Sequence, residues 1–92
     1  MKTEVYVMID ENNNYLILDQ VSNYDIEVSP TNNFIYATHW TNIGEAKRKG
    51  IEMINDVGKW DYRYFDCTEP VKIVKMLMLA HEECEIDLSG CL

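Results

Sequence analysis

The chain has 92 residues, 47% of them apolar and 11% aromatic, and a formal net charge of −8. That length fits a single domain, residues 1–92, and the absence of a bilayer-length apolar run or an apolar leader predicts a soluble cytoplasmic protein with no membrane partner. An acidic excess of this size repels phosphate backbones and so excludes direct nucleic-acid binding, while it attracts proteins whose task is to hold nucleic acid.

Taken in chain order, residues 3–9 alternate β-branched and aromatic side chains and predict a strand. The turn-forming DENNN follows, and YLILDQV, residues 15–21, completes a β-hairpin. Beyond Ser22 the pattern weakens: NYDIEV reads at most as a short edge strand and SPTNN as a loop. FIYAT, residues 34–38, is a short apolar run read as a strand. Asn42 can cap a helix over about 42–57, with Glu45 at the position that reaches back to the cap. Its apolar face collects Ile43, Ala46, Gly50, Ile54 and Val57, flanked by Ile51 and Met53, and Gly58 stands where a terminating glycine belongs. WDYRYFD, residues 60–66, sets Trp60, Tyr62 and Tyr64 against Asp61, Arg63 and Phe65, a strand with an aromatic side. VKIVKMLML, residues 71–79, can be strand or helix, since Pro70 is tolerated in a first helical turn. A strand is preferred because it enlarges the sheet on which the helix packs. The expectation is an α+β fold, a small antiparallel sheet of four or five strands packed on one amphipathic helix, ending in a short acidic turn or tail.

Motifs for chemistry are sparse. Cys67, Cys84 and Cys91 are an odd, irregularly spaced set and predict free thiols. With His81 they offer four residue types that zinc accepts, but only His81 and Cys84 are closely paired, and EECEIDLSG lacks the ligand positions of a calcium loop. No cofactor or metal is expected. Two histidines, three serines and the lack of a glycine-rich loop or nucleophile elbow argue against an enzyme. KRKG, residues 47–50, reads as a solvated helix face, with Lys47 near the apolar side and the other two bases spaced to answer acids.

The acids remain. Residues 1–40 hold one lysine against six acids, and residues 80–92 hold four acids and no base. Asp10, Glu11, Asp19, Asp25 and Glu27 with Tyr15 and Tyr24 are one candidate partner-binding set; Glu82, Glu83, Glu85 and Asp87 are the other. The segment ATHWTNIGEA, residues 37–46, followed by a helix and then VKIVK, resembles in its spacing small phage and mobile-element proteins of low-GC Gram-positive bacteria. In size, charge and missing catalytic motifs the chain is similar to small acidic phage inhibitors, anti-CRISPR proteins among them. The resemblance implies an inhibitor, acting in the host cytoplasm, that occupies the basic surface of a nucleic-acid-handling partner such as a CRISPR nuclease. The alternative is a small adaptor or regulatory subunit with an apolar or strand-edge interface, including a homodimer.

Overall fold

The computed structural model describes residues 2–79. In chain order it contains β1 (Lys2–Asp10), β2 (Tyr15–Gln20), β3 (Asp25–Thr31), a 3₁₀ turn (Phe34–Tyr36), β4 (His39–Trp40), α1 (Ile43–Asn55), β5 (Asp61–Tyr64) and β6 (Pro70–Leu79). The fold is α+β: a sheet covered on one face by one helix. The acidic ending expected after residue 79 lies outside the described residues. Among the described residues no helix is long and apolar enough to cross a membrane.

β1 is the spine. On one side it pairs with β6 along its whole length, from Lys2 opposite Leu79 to Asp10 opposite Pro70. On the other it meets β2 only at Ile9 and Tyr15, and beyond that point β2 diverges and β4 takes its place opposite Tyr6 and Val7. Thr38 closes the gap that opens between them: its N–H donates to the Leu16 carbonyl, and its hydroxyl accepts the Leu18 N–H at 2.7 Å. A side chain thus substitutes for a missing strand residue, because buried backbone donors must find a partner. β2 continues to β3 in antiparallel register, and β3 pairs with β5.

Three expectations are corrected. The sheet is mixed, since β5 runs parallel to β3; the connection between them passes through α1, and a helical crossover is what a parallel pair requires. Residues 34–38 are no strand. Asn33 accepts the Ile35 N–H on its side chain, and the Tyr36 and Ala37 N–H groups bond back to Asn33 and Phe34, so local capping wins over a short apolar run. The segment read as a weak edge strand is the seven-residue β3, flanked on both sides by neighbours.

Alternation along the strands sorts the side chains. Met8, Leu16, Ile26, Val28 and Tyr62 share the face that packs beneath α1, joined by Met53 from the helix and bordered by Leu18, Trp40, Tyr64 and Ile73. Met8, Leu16 and Val28 are fully buried, worth about 1.5–3 kcal/mol each on removal from water. Val5, Val7 and Ile9 point to the other face and are buried as well, as is Ala37; there Tyr15 meets Phe34 edge to face, with ring centroids 6.3 Å apart.

Helix α1 starts where Asn42 accepts the Glu45 N–H at 3.1 Å. It ends two residues before Gly58, at Asp56, whose left-handed backbone (φ 52°) lets the Val57 N–H return to the Glu52 carbonyl at 3.2 Å. Asp is among the few non-glycine residues that adopt this conformation readily. Only Ala46, Gly50 and Met53 of its apolar residues are buried; Ile43, Ile51 and Ile54 are 45–58% exposed.

Candidate functional site

The β2–β3–β5 part of the sheet turns its second face to solvent. On β2 the core takes Leu16 and Leu18 and leaves Asp19 outward; on β3 it takes Ile26 and Val28 and leaves Asp25 and Glu27; on β5 it takes Tyr62 and Tyr64 and leaves Asp61 and Arg63. Strand register then sets these residues side by side. Asp19 lies opposite Glu27, Asp25 beside Asp61, and Glu27 beside Arg63. Four carboxylates therefore share one sheet face with a single guanidinium.

Arg63 divides itself between two of them, Asp25 at 3.6 Å and Asp61 at 3.8 Å. These are loose contacts of half-exposed groups, worth at most about 1 kcal/mol each in water. The Ser22 hydroxyl donates to Asp25 at 2.7 Å and itself accepts the Tyr24 and Asp25 N–H groups, which fixes the β2–β3 turn. Tyr24 is 65% exposed at the edge of this patch, and its carbonyl accepts the Asp61 N–H. Two like-charge pairs sit directly across neighbouring strands, Asp19 with Glu27 and Asp25 with Asp61. Each such pair opposes folding by a few tenths of a kcal/mol to about 1 kcal/mol.

The structure thus gathers Asp19, Tyr24, Asp25 and Glu27 from the expected set and adds Asp61 and Arg63. The latter two were legible as outward-facing on β5 but not as neighbours of Asp25, because a parallel register between strands so far apart in sequence leaves no local signal. Glu11 is exposed at the opposite end of the hairpin, and Tyr15 is half-buried against Phe34. Glu82, Glu83, Glu85 and Asp87 lie outside the described residues.

Asp10 is a correction. It is 1% exposed, and its carboxylate accepts the N–H groups of Asn12, Asn14 and Thr68 together with the Asn14 side-chain amide. Burial alone raises its pKa; the hydrogen bonds to the ionised form outweigh that and hold it below the usual carboxylate value. This acid ties the DENNN turn to the loop entering β6 and has no surface to offer.

Several other polar groups are engaged within the fold. Along one flank of α1, Lys49 donates to the Tyr62 hydroxyl at 3.0 Å, Tyr62 donates to Glu52 at 2.8 Å, and Lys49 lies over the rings of Trp60 and Tyr62. Burial first and the Glu52 carboxylate second push the Tyr62 hydroxyl far above its ordinary value. Cys67 is half-buried and donates its thiol to the Val28 carbonyl; burial raises its pKa, which disfavours the reactive thiolate. His81, Cys84 and Cys91 are outside the described residues, among which no cluster of three or more His, Cys, Asp or Glu could hold a metal ion. His39 is exposed on β4, its backbone paired with Val7.

The other flank of α1 is apolar. Ile43, Ile51 and Ile54 face Pro70, Val71 and Ile73 of β6 across an open groove of about 300 Å³, bordered by Lys47 and Lys72. No protein-family model, no curated protein and no solved structure matches the chain.

Proposed function

We propose that the chain is a non-catalytic binding protein whose acidic sheet face docks on the basic surface of a nucleic-acid-handling protein and so blocks that surface, in the manner of a small anti-defence inhibitor. One observation carries this reading: two like-charge pairs, Asp19 with Glu27 and Asp25 with Asp61, stand side by side on a solvent-facing sheet with only Arg63 between them. Carboxylates held side by side on neighbouring strands present a concentrated negative surface, and a partner's lysines and arginines would relieve the repulsion on binding. Beyond about 8 Å that attraction is screened at physiological salt. Close contact through an anchor such as the exposed Tyr24 must supply the remainder.

The test is affinity capture from a nuclease-treated bacterial lysate, comparing the native chain with the double variant Asp19→Lys/Glu27→Lys. The reading expects a basic protein retained by the native chain and lost from the variant, whose own nucleic-acid binding is inhibited by the native chain. A partner retained equally by both, or one that binds nucleic acid undisturbed, would sink it.

A further inference from the structure

β6 stands at the edge of the sheet. Its whole length pairs with β1, and among the described residues no strand pairs with its other side. Long edge strands are ordinarily interrupted by charges, prolines or bulges, because their unpaired N–H and C=O groups accept any strand that fits. β6 has a proline and a bulge only at its start: Pro70, then Val71, which the register shift between Ile9 and Asp10 leaves without an opposite residue. From Lys72 to Leu79 it runs in unbroken register as KIVKMLML, apolar on both faces. Ile73 lies opposite Met8 and Leu77 opposite Glu4 on the helix side; Val74 and Met76 lie opposite Val7 and Val5 on the other. Leu77 is 52% exposed, and Val74, Met76 and Met78 are half-buried, whereas Val5 and Val7 on the inner strand are fully buried. A near-continuous apolar run is the composition of a strand inside a sheet rather than of one at its edge.

The open backbone of an edge calls for another strand, and the side chains and their charges say which. Asp19, Asp25, Glu27 and Asp61 lie on the far β2–β3–β5 part of the sheet, while β1 and β6 together hold Lys2, Lys72 and Lys75 against Glu4 and the buried Asp10. Lys75 is engaged by Glu4 at 3.8 Å. A second copy therefore meets no acidic strand here. In antiparallel self-pairing, a residue that stands opposite itself keeps like faces together, so the apolar rows of the two copies join. Centred on Lys75, the pairing would set two lysines directly opposite; centred on Val74, it would retain only Lys72–Met76 before the bulge. Centred on Met76, it pairs residues 73–79 of both copies, with Val74 opposite Met78 and Lys75 opposite Leu77. Lysine then meets no lysine, and the exposed Leu77 gains a neighbour.

We propose that β6 pairs antiparallel with β6 of a second copy, centred on Met76, and so forms a twofold homodimer with one continuous sheet. Both helices lie on one side of the joined sheet and both acidic faces on the other, and a basic partner meets the acidic face in duplicate. The dimer contact is separate from the acidic face and stands or falls without it.

Sedimentation of the full chain over a range of concentrations, at low and at high salt, tests the proposal. A concentration-dependent dimer should appear and should persist at high salt, because backbone pairing and apolar contact hold it while salt screens the repulsion between two copies of net charge −8. Met76→Lys and Met76→Glu each place a like-charge pair on the twofold axis, and each should weaken the dimer about tenfold or more. An equimolar mixture of the two should restore it as a heterodimer, an outcome that a merely structural role for Met76 would not produce. Where either variant fails to fold, as judged by circular dichroism, Val74→Lys mixed with Met78→Glu replaces the pair. Asp19→Lys/Glu27→Lys should leave the dimer intact, which separates its failure from that of the acidic face. A chain that stays monomeric at every concentration overturns the proposal, as does a dimer that both Met76 variants leave unchanged. Loss of the dimer in both variants without recovery in the mixture overturns it too.

Discussion

Asp10 illustrates how one buried acid can organise a small fold. Its carboxylate receives three backbone N–H groups, two from its own turn and one from Thr68, which enters β6. A group whose folded pKa lies below its unfolded value contributes stability above the unfolded value, here the ordinary 3.8, and loses it as pH falls through the folded value. Asp10→Asn should therefore cost about 2 kcal/mol at pH 7, since one charge-assisted acceptor is replaced by an amide donor facing N–H groups. The same substitution should weaken the acid-induced loss of stability below about pH 4. Urea denaturation of both proteins at pH 7 and pH 3 checks this; parallel losses in the two would refute the role. From sequence, DENNN was readable as a turn, but the burial of its first residue was not, because the decisive donor comes from Thr68. Tyr64 is the converse case. Its hydroxyl is buried without a hydrogen-bond partner among the described residues, and burial, followed by Glu69, pushes its pKa up to about 12. Tyr64→Phe should leave stability unchanged or raise it by up to about 1 kcal/mol in thermal unfolding.

Among the elements, α1 was the most legible, since its cap and its period are both local. Asn42 fills the expected role, whereas Asp56 rather than Gly58 supplies the left-handed residue at the other end. Which part of the wide apolar arc the sheet would cover was not readable, because that depends on the strands beneath, Met8 and Ile73 above all. β4 was missed for a related reason: two residues make no pattern, and His39 and Trp40 become a strand only because β2 diverges from β1 and exposes an edge. Gly50 offers a clean measurement. A methyl group there would sit in ordinary contact with Met8 and Ile73, so Gly50→Ala should stabilise the protein by up to about 1 kcal/mol through helix propensity alone. A fall in the unfolding temperature would mean that the helix packs closer to the sheet than these distances allow.

At the scale of the whole molecule, sheet and helix present surfaces of opposite character, and the net charge of −8 conceals the division. The acidic excess was plain from composition, but its concentration on one sheet face was not, since that needs both the β2–β3 register and the parallel β3–β5 register. Repulsion kept on a rigid face at a cost to stability gives function and folding opposite demands, and Asp19 separates them. Asp19→Lys replaces a like-charge pair opposite Glu27 with an opposite-charge pair. The fold should gain about 0.5 kcal/mol at low salt, and the gain should shrink as salt screens the native repulsion. Binding to a basic partner should weaken in the same variant. If stability and binding instead fall together, the acids support the sheet rather than a partner. If stability rises with binding intact, the contact surface lies elsewhere on the molecule.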